Sequence, residues 1–192
     1  MALKTYHRKR NADQTPEPPG QGDKGDPGRI FVIQKHDASQ LHYDFRIRTG
    51  DVLASWAVPK GPSTAANEKR LAMRTEDHPL EYADFEGVIP EDEYGGGTVM
   101  IWDRGTYEPL DGKDPRQALE EGSLKFRLNG DKVSGGYAIV RTRRDGDEEQ
   151  WMLFKLADRE ADARRNPVST EPDSVASGRS MEEIRKTETD DD

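Results

Sequence analysis

Between residues 29 and 156 the apolar side chains come in short runs, several strictly alternating, separated by glycine, proline, asparagine and aspartate turns. Successive side chains of a strand point to opposite faces, so such a pattern buries its apolar set only within a sheet. Leu41-His42-Tyr43-Asp44-Phe45-Arg46-Ile47-Arg48 is the clearest case. Residues 30–33, 52–58, 70–74, 97–102 with the region of Tyr107, 124–128, 137–141 and 151–156 read as further strands. Pro59 stops the run before it, because proline cannot donate to a ladder. Asn129-Gly130 and Asp145-Gly146 are hairpin signals. One helix is well punctuated: Asp114 caps it, Pro115 suits its first position, Gln117 completes the cap and Gly122 ends it. The expected fold is mainly β: a small closed β-barrel of about eight strands with one or two short flanking helices. Closure would hide the strand edges.

Hydrophobic residues make up 32 % of the chain and charged residues 35 %, against about 45–50 % apolar in ordinary domains. A core is possible only because the apolar residues concentrate in the middle segment. Three segments follow: an N-terminal arm over 1–28, a β-domain over 29–156 and an acidic tail over 157–192. Residues 12–28 hold 8 prolines or glycines, too many for a regular element, and composition predicts a flexible arm. The tail ends Asp190-Asp191-Asp192 and reads as mostly mobile, with a helix around 181–186.

The net charge of −9 argues against bulk wrapping of nucleic acid but leaves room for a local basic pocket. The absence of cysteine excludes disulfides and thiolate metal sites. The amino terminus does not resemble a signal peptide, and no apolar run approaches the roughly 20 residues that span a bilayer. A soluble, cytoplasmic protein with no membrane association is expected.

Two of the four histidines fall in one segment, Gln34-Lys35-His36-Asp37-Ala38-Ser39-Gln40-Leu41-His42-Tyr43-Asp44-Phe45-Arg46. On a strand, Leu41, Tyr43, Phe45 and Ile47 share one face, while His42, Asp44, Arg46 and Arg48 share the other. His36 could fold back across the turn to join them. Two imidazoles and a carboxylate suit Mn, Fe(II), Co, Ni or Zn. Arg46 beside such a site is repelled unless an anion bridges the cations, and phosphate is the simplest anion that arginine grips bidentately. Two other readings stay open: the solvated face of an ordinary antiparallel strand, and an O₂-activating iron site with the same ligand types. His78, before Pro79, reads as a loop residue; Tyr82 reads as a packing aromatic. Tyr94-Gly95-Gly96-Gly97 lacks the lysine and helix of a phosphate-binding loop and reads as a turn.

These residues resemble a known family, the phosphoesterase domain of DNA ligase D. The resemblance runs through Gln34-Lys35-His36-Asp37-Ala38-Ser39, Leu41-His42-Tyr43-Asp44-Phe45-Arg46 and Ser55-Trp56-Ala57-Val58-Pro59-Lys60-Gly61-Pro62. It continues through His78-Pro79-Leu80-Glu81-Tyr82, Phe85-Glu86-Gly87 and Tyr94-Gly95-Gly96-Gly97, ending near residues 151–155, and includes Thr15-Pro16-Glu17-Pro18 in the arm. It implies a small β-barrel with a lateral pocket, and Mn²⁺ held by His36, His42 and Asp44, with Co²⁺ or another divalent transition metal as alternative. It implies phosphate contacts from Arg46 and His78, the latter as hydrogen-bond donor or general acid, with Tyr82 and Gln34 nearby. Lys60 and Arg70 match basic positions of the family's site. Arg10 and Glu17 match functional arm positions, so the resemblance predicts an arm ordered over the site. One departure is Asn11, where the family typically has aspartate.

The activity implied has two steps in DNA repair: removal of a 3′-terminal ribonucleoside from a primer-template end, then hydrolysis of the remaining 3′-phosphate to a 3′-hydroxyl. With 192 residues there is no room for ligase and polymerase domains, so the resemblance is to a stand-alone, monomeric form. DNA or RNA–DNA 3′ ends are the implied partners, with a separate ligase, polymerase or end-binding protein by analogy. The alternative is a non-catalytic module that binds a 3′-phosphate or DNA end, which the Asn11 departure would suit.

Overall fold

The computed structural model describes residues 3–20 and 28–189. Among them are nine strands: β1 (Ile30–Asp37), β2 (Leu41–Thr49), β3 (Val52–Val58), β4 (Arg70–Pro79), β5 (Gly87–Ile89), β6 (Gly97–Pro109), β7 (Ser123–Gly130), β8 (Ser134–Asp145) and β9 (Glu148–Lys155). They form one antiparallel sheet in the order β1-β2-β3-β4-β9-β8-β7-β6-β5. β1 also pairs with β6, so eight strands close into a barrel-like ring and β5 hangs from β6. The helices are short: α1 (Lys4–Lys9), α2 (Pro115–Glu121), α3 (Pro167–Thr170) and α4 (Met181–Thr189). No described helix is long and apolar enough to cross a membrane.

The alternation read in β2 is realised. Tyr43, Phe45 and Ile47 point into the ring, where Phe45 stacks on Trp56 and Phe126 at centroid distances of 5.9 and 5.6 Å. Leu41, on the same face but at the strand's start, stays exposed. The predicted cap of α2 forms, with Asp114 accepting from the Gln117 N–H at 3.2 Å and Gly122 left-handed at φ 92°. A second, smaller apolar cluster lies outside the ring and joins Tyr6 of α1, Val32, Leu53, Tyr82, Phe85 and Ile101. It seats the arm and the 3₁₀ turn Leu80–Asp84 against the outer faces of β1 and β3.

Several elements run longer than the pattern predicts. β1 reaches Asp37 and so carries His36 itself. β6 continues through Gly105, which would ordinarily weaken a strand; a Cβ there would lie 1.9 Å from the Asn129 carbonyl oxygen, so only glycine permits the β6–β7 approach. β4 reaches Pro79, which corrects the reading of His78 as a loop residue. The ladder with β3 slips between Leu53 and Ser55, so that three steps on β4 match two on β3. Such bulges re-aim side chains; here Thr75, Glu76 and His78 all line one cavity while Asp77 lines another.

The described part of the tail, 157–189, packs on the ring rather than trailing from it. The Trp102 indole donates to the Glu171 carbonyl at 2.9 Å, the Val175 N–H donates to Ile101 O at 3.0 Å, and Ile184 is fully buried in the main core. Residues 190–192, and the arm's 21–27, lie outside the described residues. Ile184→Ala should therefore destabilise the fold by about 2–5 kcal/mol, the usual loss for a buried isoleucine. Urea unfolding measures this, and an unchanged midpoint would mean that the tail does not contribute to the core.

Candidate metal and phosphate site

The hairpin β1–β2 assembles the site by register alone. His36 lies opposite His42, Gln34 opposite Asp44 and Val32 opposite Arg46. Directly opposed residues of an antiparallel pair share a face, so the two imidazoles and the carboxylate that are six and eight residues apart become neighbours. One Asp44 oxygen, Oδ2, lies 3.4 Å from His36 Nδ1, 3.2 Å from His42 Nε2 and 3.4 Å from Arg46 Nη2. The three possible ligand atoms lie within 4.8 Å of one another.

The outer nitrogens of both rings are already engaged. His36 Nε2 meets the Gly95 carbonyl at 2.6 Å and His42 Nδ1 meets the Gln40 carbonyl at 3.0 Å. A carbonyl only accepts, so those nitrogens carry the protons, and in the neutral rings the lone pairs of His36 Nδ1 and His42 Nε2 face Asp44. Metal-binding histidines show this same outer hydrogen bond. Two lone pairs and a carboxylate turned toward one point repel each other unless a cation lies between them, so this donor set fits a divalent metal. Burial lowers the basicity of His42, but a proton added at Nε2 would be held by a hydrogen bond to Asp44 and by that carboxylate's charge, which outweigh burial and raise the pKa. Burial would raise the Asp44 pKa, yet Arg46 and the two histidines hold it well below the usual carboxylate value.

Arg46 is 3 % exposed. Its Nε donates to Gln34 Oε1 at 2.7 Å, and the Gln34 amide donates to the carbonyls of Tyr82 and Phe85 at 2.8 and 2.9 Å. Gln34 thus locks both the guanidinium and the 3₁₀ turn, although it does not itself line the cavity. The Arg46 guanidinium carbon lies 4.8 Å from the Tyr82 ring centre. Its remaining nitrogen, Nη1, is buried with no partner among the described residues, as is Thr75 Oγ1. An orphaned charged donor is costly, and an anion in the adjacent cavity of about 260 Å³ would satisfy it.

The arm covers this cavity. Arg10 Nε donates to Glu17 at 2.8 Å and Nη1 to Glu76 at 3.1 Å, while Nη2 approaches His78 Nε2 at 3.2 Å. Glu17 also accepts from the Tyr82 hydroxyl at 2.6 Å. Arg10 and Glu17, far from the ring in sequence, are thereby cavity-lining residues, and the composition-based flexible arm yields to an ordered one over 3–20. Arginine can only donate, so His78 Nε2 accepts and its proton sits at Nδ1, which donates to the Glu76 carbonyl at 2.9 Å. Burial, then Arg46 and Arg10, depress the His78 pKa well below its ordinary value. With the arm docked, His78 is neutral and has no proton at Nε2 to give.

This has a measurable consequence. A histidine kept neutral in the fold binds its proton first in the unfolded chain, below pH about 6.5. Stability should be full above that pH and fall by about 1.4 kcal/mol per pH unit as pH drops below it, toward the depressed folded value. His42, whose pKa is raised, works the other way and holds its contribution in this acid range. Urea midpoints from pH 7 downward should show the slope in the native chain and a shallower one in His78→Asn; parallel slopes would place the proton elsewhere.

Lys60 and Arg70 do not line the cavity. They sit together, Arg70 Nη1 donating to the Lys60 carbonyl at 3.1 Å and Nη2 to Glu68 at 3.1 Å. Asn11 is exposed, its Oδ1 accepting from the Asp13 N–H at 3.2 Å, and it does not reach the cavity. Among the contributors that escape the sequence reading as site residues are Thr75, Glu76, Tyr94 and Gly95. Glu76 lies at the β3–β4 slip, where the period of residues 70–74 no longer traces the faces of the strand. The Gly95 carbonyl, as a backbone group, leaves no residue-type signal.

A family profile described as the DNA Ligase D 3′-phosphoesterase domain matches residues 34–141. The chain is 50 % identical over 183 residues to the multifunctional non-homologous end joining protein LigD of Pseudomonas aeruginosa, covering 93 % of this chain and 22 % of that protein. It is 45 % identical over 159 residues to the corresponding protein of Mycobacterium tuberculosis, covering 80 % of this chain and 20 % of the relative. The match to that of Mycolicibacterium smegmatis is 41 % over 161 residues, 81 % of this chain and 21 % of the relative. The chain thus spans about a fifth of the length of these relatives.

Proposed function

The chain belongs to the DNA ligase D 3′-phosphoesterase family, and from that premise we propose that its lateral cavity heals 3′ ends in DNA repair. The reaction is hydrolytic: loss of a 3′-terminal ribonucleoside, then of the 3′-phosphate, leaving a 3′-hydroxyl. The observation that carries the proposal is the buried, unpartnered Arg46 Nη1 beside the His36, His42 and Asp44 donor set. That pairing calls for an anion and a cation in contact, as a metal-bound phosphate supplies.

His36, His42 and Asp44 would hold the metal, and the borderline-to-hard N₂O set suits Mn²⁺ or Co²⁺. When bound, the metal supplies Lewis-acid neutralisation of phosphoryl charge. The remaining work falls to the protein. Arg46 binds a non-bridging oxygen through Nη1, held in position by Gln34. Arg10 brings a second guanidinium over the same cavity, anchored by Glu17 and Glu76. For His78 Nε2 to donate to phosphate or act as general acid, the imidazole must first gain a proton. Two flanking guanidiniums oppose this, and an arriving phosphate dianion supplies the opposite charge, so protonation accompanies substrate binding. The Tyr82 phenol, raised well above its usual pKa by burial and by Glu17, stays protonated and serves as a donor.

The test uses metal-free protein, then protein with Mn²⁺, on a duplex whose recessed 3′ strand ends in one ribonucleotide. Denaturing gels should show metal-dependent shortening to a 3′-phosphate and then a 3′-hydroxyl. Tight binding of the 3′-phosphate end without conversion across several divalent metals would instead establish a non-catalytic end-binding module.

A further inference from the structure

A second concave region lies at the end of the ring where β2 turns into β3. Two cavities, of about 420 and 210 Å³, share Thr49 and Arg116 and form one groove. Arg29, Arg48, Arg74, Arg116, Arg141 and Arg144 line it, and no lysine does. The arginines come from the start of β1, the end of β2, β4, α2 and the β8–β9 hairpin, so only the tertiary fold gathers them.

Five carboxylates, Asp51, Asp77, Asp114, Glu120 and Glu149, share the lining, so the six arginines exceed them by one. Arg74 pairs with Asp77 at 3.1 Å and Arg141 with Glu149 at 3.7 Å. Arg29, Arg116 and Arg144 are exposed, and none has a carboxylate within 4.0 Å among the described residues. Arg74 lies with its guanidinium carbon 4.6 Å from the Trp56 ring centre, and its Nη1 is buried with no partner among the described residues. Like Arg46 Nη1, that nitrogen lacks an acceptor that an anion would provide.

We propose that this groove holds the sugar-phosphate backbone of the duplex whose 3′ end occupies the Asp44–Arg46 cavity, an inference that rests on the end-processing reading above. Arginine's planar fork, chosen here to the exclusion of lysine, matches phosphate oxygens. Spacing agrees. Arg48 lies four residues beyond Asp44 on the same face of β2, about 13 Å at roughly 3.3 Å per residue. A nucleic acid strand advances about 3.4 Å per base step, so the groove meets the backbone about four steps from the terminus. The chain's net charge of −9 disfavours non-specific wrapping, so a duplex would need local arginines that reach its phosphates.

The double variant Arg116→Ala/Arg144→Ala tests this, because both side chains are exposed and lie outside the proposed catalytic cavity. Fluorescence anisotropy would follow binding of a duplex of about 12 base pairs with a recessed 3′-hydroxyl, across salt concentrations, in the full chain. The variant should bind about tenfold more weakly near 0.1 M salt, and the slope of log affinity against log salt should shrink by about 1.8, at about 0.9 per phosphate contact. Hydrolysis of a 3′-phosphorylated dinucleotide, too short to reach the groove, should be unchanged. Equal duplex affinity and equal salt slope, with hydrolysis intact in both proteins, would overturn the groove and leave the end-processing reading standing. Weakened duplex binding with no hydrolysis by either protein would keep the groove as a nucleic-acid contact and remove the catalytic reading.

Discussion

Asp44→Asn should abolish tight metal binding and lower turnover by on the order of 10³-fold. Neighbours that merely orient a metal ligand are worth about 10–100-fold, and this change removes a ligand's charge altogether. Asparagine keeps the shape but presents a neutral oxygen where His36, His42 and Arg46 now converge within 3.4 Å. The variant also leaves the Arg46 guanidinium buried without its carboxylate. Breaking a buried pair by removing one partner costs about 3–5 kcal/mol, so the metal-free variant should unfold at clearly lower urea. The paired measurements are retained metal after desalting and turnover on the ribonucleotide-ended duplex. An asparagine variant that retains one equivalent of metal and works within tenfold of the native rate would remove Asp44 from the site.

Glu17→Ala should release the arm without unfolding the ring. Glu17 is 4 % exposed and is the joint acceptor of Arg10 Nε, the Tyr82 hydroxyl and Thr15 Oγ1. Its loss leaves a buried phenol and part of a buried guanidinium without acceptors, a penalty of about 3 kcal/mol. The arm joins the ring through the outer apolar cluster and the polar contacts of Lys9, Arg10 and Glu17, and Glu17 is the hub of those contacts, so the penalty is relieved by local undocking. Undocking worth that much should speed amide exchange in residues 4–10 by about 10²-fold, while the global urea midpoint stays close to native. Turnover should fall at the same time, since Arg10 leaves the cavity, and His78, freed of Arg10, should titrate nearer its ordinary value. Exchange rates unchanged in α1 would show that Glu17 does not hold the arm.

The sequence-level reading and the structure agree most closely where a property is local. The alternation in β2 places Phe45 inward and Asp44 outward whatever the partner strands are, because the side-chain period of a strand is two. The α2 cap rests on Asp114, Pro115 and Gly122 within one stretch of chain and forms as read, except that the Gln117 side chain turns to Glu121 instead of closing a reciprocal bond. The two histidines and the carboxylate were legible for the same reason: three residues of turn between β1 and β2 bring His36 back opposite His42.

What required the tertiary structure was every pairing set by distant residues. His78 lay beyond the readable end of its strand, because the β3–β4 bulge breaks the period that would have traced it. Lys60 and Arg70 match basic positions of the family only through the resemblance, and in the fold Arg70 bonds the Lys60 carbonyl and Glu68 while neither residue lines the cavity. The arm and tail carried the composition of mobile segments, since composition counts apolar residues and not where they dock; Tyr6 and Ile184, one side chain in each, find buried seats on the ring. The chain's own order therefore determined which faces are apolar, where the turns fall and which residues could bind a metal. Only closure of the ring decided that Arg10, Glu17 and Glu76 stand over that site, through contacts across 65 and 66 residues, and that six arginines from five separate segments meet at one end, because no local pattern records such energies.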